Sequence, residues 1–188
     1  MISVDARGIR MAAWAAVGAS VVLLFGTLAD GRLGEAGILA AFALIAAGLG
    51  SMRRRMPSAI SLAFALAVLY AGAGWRWSLF QRVEPFDEIA HVVTGFALTP
   101  ALAFLVLGPW LPTWRAHALR LAILTVSLGV SAGAAWEIAE WVVRELTARE
   151  SVTQSLDDAI TDMMLGGFGS AASLVLVYWC VRSRELTG

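Results

Sequence analysis

The sequence has no lysine, so all fourteen of its basic residues are arginines. Cys180 is the only cysteine, which excludes an intramolecular disulfide. Charged residues are scarce, at 15% of the chain, and the formal net charge is zero. Nucleic-acid-binding domains carry a basic surface, so this balance argues against a nucleic-acid partner. The sequence also lacks a Gly-rich nucleotide loop, a nucleophile elbow and a CxxC pair, which removes several common kinds of soluble enzyme.

Apolar residues are abundant. They make up 59% of the 188 residues, against about 45–50% in soluble domains. A membrane-spanning helix needs about 20 mostly apolar residues, and continuous apolar runs do not fit the alternating pattern of a barrel. The first run is longer than a signal-peptide core, so we expect it to be retained. The sequence therefore predicts an all-α, polytopic membrane helix bundle that forms one domain over residues 1–188. The six predicted spans lie near 11–29, 33–50, 58–77, 86–107, 121–143 and 159–181.

The arginines predict the orientation of these spans. Nine of the fourteen lie on the cytoplasmic side if both termini are cytoplasmic, and the strongest signal is the run Arg53-Arg54-Arg55. Twelve of the fourteen acids then lie on the outer side. The positive-inside rule does not require this, because acids contribute little to topology. The acids therefore need another explanation.

Acids and one histidine form three pairs, and each pair has the spacing of one helical face. The fourth and sixth spans begin outside and the fifth ends there, so the pairs are predicted to lie at one depth. Carboxylate and imidazole groups that project inward from facing helices are how helix bundles build metal sites. Five carboxylates, one imidazole and no thiolate favour a divalent Mg, Mn, Fe or Zn ion as cofactor. The six predicted metal ligands are Asp87, His91, Glu137, Glu140, Asp158 and Asp162.

Several of these acids have a simpler explanation. Acids in the first turn of a helix complement its dipole by about 0.3–1 kcal/mol, and this interpretation applies to Asp87, Glu88 and Asp158. Ser155 and Asp158 also fit an S-x-x-D capping box. For Asp157 and Asp158, capping alone explains the pattern as well as metal binding does. Asp162 lies about one turn inside its span, beyond the reach of a cap.

Glu137 resists that explanation, because the dipole at a helix C-terminus disfavours negative charge. It lies about 10 Å inside the last apolar residue of its span. An acid at that depth is costly and is a functional candidate by default. Protonation, an arginine such as Arg76 or a bound cation would each stabilise it. Glu140 can pair with Arg144 four residues later.

Small residues predict where helices approach closely. Gly129 and Gly133 form one small-xxx-small face in the fifth span, and Gly166 and Ser170 form another in the sixth.

The polar motifs resemble those of a known family. The runs Phe-Asp-Glu-Ile-Ala-His-Val-Val-Thr-Gly-Phe (86–96), Trp-Glu-Ile-Ala-Glu-Trp (136–141) and Asp-Asp-Ala-Ile-Thr-Asp-Met (157–163) are similar to those of YjdF-type bacterial inner-membrane proteins. VanZ-like proteins show a similar motif order, but with Gln and Asn in the places of Glu140 and Asp162. The YjdF type therefore fits better, over the last three spans. The resemblance implies a multi-pass protein of the bacterial inner membrane and supports these motifs as the site, which the arginine pattern predicts to face the periplasm or exterior.

Three functions are compatible with the sequence. The first is a metal-dependent enzyme with His91 and Glu137 as catalytic residues, in which a metal-activated water attacks a phosphate or ester of a lipid or cell-envelope precursor. The second is an ion- or proton-coupled transporter, because buried acids such as Glu137 are typical of ion relays. The third is a non-catalytic membrane module whose acids only cap helices and form ion pairs.

Overall fold

The computed structural model describes residues 6–52, 54–147 and 155–185. Every regular element within these ranges is helical, which confirms the all-α prediction. Within the same ranges, six helical segments are long and apolar enough to cross a membrane, as predicted. The chain divides into two compact units, with the boundary between Arg82 and Val83. The single domain and the cytoplasmic termini stay predictions, and Arg53 of the arginine run lies outside the described residues.

The first unit contains three spans and one short helix. α1 and α2 are joined by a tight turn at Gly31, whose φ of +74° is a conformation that glycine adopts without steric cost. α1 packs against both α2 and α3, most extensively against α3. The helices are α1 (Ala6–Ala29), α2 (Leu33–Ser51), α3 (Ser58–Trp77) and α4 (Leu79–Arg82).

Arginines are paired at one end of this unit. The Arg76 side chain lies against Gly26 of α1, where a β-carbon would meet its Nε at 2.8 Å. From there Arg76 donates a 2.6 Å hydrogen bond to the Asp30 carboxylate. Arg32 forms an ion pair with Glu35 at 3.1 Å. From the sequence, Arg76 is one candidate for stabilising the charge of Glu137. In the structure, Arg76 forms its ion pair with Asp30.

The second unit carries the three polar motifs. α5 packs along α7, and α6 packs against both of them. The elements are α5 (Phe86–Val106), a 3-10 turn (Leu111–Thr113), α6 (Trp114–Thr147), α7 (Leu156–Ala172) and α8 (Leu174–Glu185).

Two of the spans in this unit differ from the predicted segments. The fifth begins at Trp114 rather than near residue 121, and it includes a non-helical residue at His117 (φ −132°, ψ 32°). The sixth comprises α7 and α8, which meet at Ser173, a residue with helical dihedral angles whose N–H still donates to the Gly169 carbonyl. The Ser173 hydroxyl donates a 2.7 Å hydrogen bond to the carbonyl of Ser170. This local bond competes with the regular helical pattern, as serine hydroxyls commonly do.

Glycines set the close approach of α5, α6 and α7. A β-carbon on Gly95 would collide with the carbonyl of Gly166, and one on Gly169 with the carbonyl of Val92. A β-carbon on Gly129 would collide with the hydroxyls on the facing helices. The prediction of a close approach is confirmed for Gly129. It is wrong for Gly133, where a β-carbon would meet nothing within 4 Å.

Candidate metal centre

The site lies where α5, α6 and α7 meet near the first turns of α5 and α7. Asp87 and His91 are one turn apart on α5, and Asp162 lies in the second turn of α7. Glu137 lies on α6, which runs in the opposite direction. Contacts between α5 and α7 ascend together from His91–Asp162 to Thr99–Ser170, so these two helices are parallel. The sequence prediction that acids from the fourth, fifth and sixth spans meet at one depth is therefore confirmed for these four residues.

His91 is the centre of the group. Its Nε2 atom lies 3.5 Å from Asp87 Oδ1 and 3.7 Å from Asp162 Oδ2. Its Nδ1 atom lies 3.7 Å from Glu137 Oε1. Each ring nitrogen therefore faces carboxylate oxygens at distances longer than the usual 2.7–3.2 Å of an N–H···O hydrogen bond.

These side chains are largely shielded from solvent. The exposed fraction of the side chain is 17% for Asp87, 14% for His91, 6% for Glu137 and 3% for Asp162. Asp162 Oδ2 is buried and accepts no hydrogen bond. A buried carboxylate oxygen without a donor is costly unless a cation or a proton compensates it. The atom that lacks a donor is also the one that faces His91 Nε2.

Three of these residues have donor atoms that fit around one cation. Of the residues that the structure describes, Asp87, His91 and Asp162 form a group in which one donor atom from each lies within 4.8 Å of the others. Around an ion with bonds of about 2.0–2.2 Å, neighbouring donors lie about 3.0–3.5 Å apart. The distance from His91 Nε2 to Asp87 Oδ1, 3.5 Å, lies at the upper end of that range, and the distance to Asp162 Oδ2, 3.7 Å, exceeds it slightly.

Glu137 is placed differently from these three. It faces Nδ1 of His91, on the other side of the ring from Asp87 and Asp162. Metal-bound histidines almost always donate their second ring N–H to a carboxylate, a carbonyl or water, which fixes the tautomer and the ring orientation. Glu137 therefore faces the ring nitrogen that a metal-bound histidine would use for this hydrogen bond, and its own predicted role as a ligand stays a prediction.

The other predicted ligands do not belong to the group of three. Asp158 and Glu140 are both half-buried but lie outside it. The backbone N–H of Asp158 donates a 3.1 Å hydrogen bond to Ser155 Oγ, so the predicted helix cap is confirmed. The pairing of Glu140 with Arg144 stays a prediction, because the Arg144 side chain lies outside the described part of the chain.

One further acid was not distinguished by its sequence. The sequence explains Glu88 only as an acid that complements the helix dipole. In the structure, its Oε2 atom is buried and accepts no hydrogen bond. Its position at the start of a helix gave no signal of burial, since the first turn is usually solvated.

A layer of small residues lies beneath the polar group. Thr99 Oγ1 donates a 2.9 Å hydrogen bond to Ser170 Oγ, and Gly129 packs directly against both hydroxyls. Ser170 in turn donates to the carbonyl of Gly166 at 2.8 Å. Close backbone contact at this level brings the helices near enough for short carboxylates and one imidazole to meet two turns above.

The three comparisons with known proteins give one positive result. A family described as a predicted membrane protein family, DUF2238, matches residues 9–183. The chain belongs to this family. Membership is consistent with the YjdF-type resemblance, whereas the VanZ-like resemblance stays a prediction. Comparison with curated proteins and with solved structures found no match. The DUF2238 match includes residues of all six candidate spans, so it extends over most of the first unit as well as the polar motifs of the second.

Proposed function

We propose that the protein is an integral membrane metalloprotein that binds a divalent cation between α5 and α7. Asp87, His91 Nε2 and Asp162 are its ligands, and Glu137 orients the imidazole through Nδ1. The observation that carries this proposal is the group of three donor atoms within 4.8 Å of one another. The donorless Oδ2 atom of Asp162 supports it independently, because a cation is the most direct compensation for that buried charge.

We further propose that the site is catalytic. Structural zinc sites use four protein ligands, whereas catalytic sites use about three and leave positions open for water or substrate. A bound divalent ion supplies a hydroxide nucleophile at neutral pH and polarises a phosphoryl or carbonyl oxygen. The residues of this chain contribute orientation and charge. Glu137 holds the His91 ring, and Asp87 and Asp162 fix the ion at the helix starts.

The substrate class follows from the depth of the site. Asp87 and His91 belong to the first six residues of α5, and Asp162 is the seventh residue of α7. At 1.5 Å per residue these positions lie within about 10 Å of the helix starts. At the end of a span, that depth adjoins the polar head-group region of a bilayer. A phosphate or ester of a membrane lipid or of a lipid-linked envelope precursor would therefore reach the ion without leaving the membrane.

We place the protein in the bacterial inner membrane with this site on the outer side. The arginine distribution and the YjdF-type and VanZ-like motif orders support this assignment. Reporter fusions test it. A reporter active only in the cytoplasm should work at both termini, and one active only in the periplasm should work between the fifth and sixth spans. The reverse pattern would overturn the orientation.

Metal analysis tests the binding proposal. The full chain is purified in detergent without chelator, and its Mg, Mn, Fe and Zn content is measured. It is then stripped with EDTA and its thermal unfolding is followed as each ion is added back. We expect about one ion per chain and a rise in Tm with at least one ion, because a ligand that binds only the folded state stabilises it. No bound ion and no change in Tm with any of the four would overturn the proposal.

A second candidate function is ion-coupled transport. It is favoured by the burial of Glu137 and Asp162, together with a buried hydroxyl at Thr125 that has no hydrogen-bond partner. Transport predicts cation or proton flux in proteoliposomes that disappears in Glu137→Gln. An enzyme predicts no flux and loss of hydrolysis instead.

A further inference from the structure

α5 and α7 carry the same spaced pattern of residues. Both read D-x-I-x-(H/D)-x3-G-x3-(T/S), from Asp87 to Thr99 in α5 and from Asp158 to Ser170 in α7. The ligand-type positions of the two copies are Asp87 and His91 in α5, and Asp158 and Asp162 in α7.

The structure pairs these copies position by position. His91 contacts Asp162, Gly95 contacts Gly166, and Thr99 contacts Ser170. The members of each pair are 71 residues apart in the sequence. Positions spaced by four residues lie on one face of a helix. Two parallel helices that meet through the same face at equivalent positions are related by an approximate two-fold axis between them.

In this register, Asp158 of α7 is the equivalent of Asp87 of α5. Asp87 lies one turn before His91 and faces its Nε2 atom. Asp158 has the same place one turn before Asp162. The helix cap uses the backbone N–H of Asp158, so its carboxylate is not part of the capping hydrogen bond and, like that of Asp87, lies in a first turn where the helix dipole favours negative charge. Asp157, the other acid of this turn, is exposed and matches Phe86 rather than a ligand position.

We propose that the ion is held between two equivalent half-sites and that Asp158 becomes its fourth protein ligand. This inference rests on the metal site proposed above. Its second support is Asp162 Oδ2, a buried atom in the same site that has no hydrogen-bond partner. Asp158 lies outside the group of three, so it joins through rotation of its side chain when the ion binds. Three carboxylates and one imidazole form a hard, oxygen-rich donor set that suits a six-coordinate Mn²⁺ or Fe²⁺ ion, which still keeps positions open for water or substrate.

A pair of neighbouring acids provides the test. The full chain in detergent is titrated with Mn²⁺ alone, and free Mn²⁺ is measured by electron paramagnetic resonance. Asp158→Asn and Asp157→Asn each remove one formal charge from the same helix turn. We expect Asp158→Asn to weaken Mn²⁺ binding by about tenfold or more, as Asp87→Asn should. Asp157→Asn should stay within about twofold of the unmodified chain. Equal affinities for Asp158→Asn and Asp157→Asn would overturn the inference.

A substitution that introduces a new metal ligand gives a second test, which does not depend on a loss of binding. Asp158→His places an imidazole at the proposed ligand position, and Asp157→His is its control. Bound Co²⁺ should change its visible absorption in Asp158→His and not in Asp157→His. An unchanged spectrum in Asp158→His would contradict the fourth ligand.

The outcomes separate this inference from the metal site itself. Mn²⁺ binding that is lost in Asp162→Asn but unaffected in Asp158→Asn would overturn only the role of Asp158. No binding of Mn²⁺ or of any other tested ion by the unmodified chain would overturn both proposals.

Discussion

The imidazole of His91 lies between the carboxylates of Glu137 and Asp162. Its Nδ1 atom faces Glu137 Oε1 at 3.7 Å, and its Nε2 atom faces Asp162 Oδ2 at 3.7 Å. Glu137 and Asp162 come from different helices and are both buried. A histidine in this position can donate a proton to one carboxylate and share a cation with the other. Asp87 and Asp162 are therefore expected to respond to substitution as ligands, and Glu137 as a positioning residue.

Glu137 is expected to act on metal affinity through His91. Glu137→Ala removes the carboxylate that faces His91 Nδ1 at 3.7 Å and should weaken divalent-metal binding by about 10- to 100-fold. Glu137→Gln keeps an oxygen acceptor and should lose less than Glu137→Ala. Mn²⁺ titration measures both, with Glu84→Gln as a control because Glu84 is exposed. A loss in Glu137→Gln as large as that in Asp162→Asn would instead make Glu137 a direct ligand.

Asp162 is expected to destabilise the metal-free protein. Its buried Oδ2 atom has no hydrogen-bond partner, so Asp162→Asn removes a buried carboxylate charge that no hydrogen bond satisfies, at nearly constant shape. We expect Asp162→Asn to be more stable than the original chain in EDTA, by about 1 kcal/mol or more. It should also lose the rise in Tm that metal gives. Thermal unfolding with EDTA and with added metal measures both effects, and a lower Tm for Asp162→Asn in EDTA would contradict the prediction.

Gly95 is expected to tolerate no β-carbon. In Gly95→Ala the new methyl group would collide with the Gly166 carbonyl, which is backbone and cannot move aside cheaply. We expect a loss of about 1–3 kcal/mol or more, together with weaker metal binding, because α5 and α7 must separate. Gly133→Ala is the matched control, since its β-carbon would meet nothing within 4 Å. That variant should be neutral or more stable, by up to about 1 kcal/mol, from helix propensity alone. Equal stability of the two variants would contradict the packing described here.

The Thr99–Ser170 hydrogen bond is expected to contribute modestly to the free energy of unfolding. Hydrogen bonds between membrane helices average about 0.6 kcal/mol in double-mutant cycles. A cycle built from Thr99→Val and Ser170→Ala should give a coupling free energy of about that size, measured by unfolding in detergent. Ser20 and Thr27 serve as the control, because each hydroxyl bonds a carbonyl of its own helix four residues back. The effects of substituting Ser20 and Thr27 should be additive. A coupling free energy near zero for Thr99 and Ser170 would show that their contact is not a stabilising hydrogen bond.

The sequence predicts the helix cap at Ser155 more completely than it predicts the arrangement of the acids. The Ser155 cap depends on residues three positions apart in one turn, and such local geometry is fixed by the sequence spacing. Glu137 was recognised as unusual from the helix dipole and its depth in the span. The role proposed for Glu137 could not be derived in that way, because it depends on which nitrogen of His91 the carboxylate faces.

The irregularity at Ser173 and the kink at His117 do not follow from the sequence. The Ser173 hydroxyl bonds the Ser170 carbonyl, three residues back, whereas the hydroxyls of Ser20 and Ser170 bond carbonyls four residues back inside regular helices. His117 lies in an otherwise regular pattern, without a proline or glycine beside it. Apolar length predicts that a span exists but carries little information about irregularities within it.

The number of spans and the pairing of acids on single helix faces follow from the sequence, because both depend on the rise and the periodicity of a helix. Which acids meet was decided by the rotation and register of α5, α6 and α7. Gly95 and Gly129 lie against facing helices, whereas Gly133 has open space, although all three are glycines on helices that pack together. That rotation places Asp87, His91 and Asp162 within reach of one cation and leaves Glu137 on the opposite side of the imidazole. Periodicity puts two residues on one face of a helix, but only the packing of three helices against one another determines what that face meets.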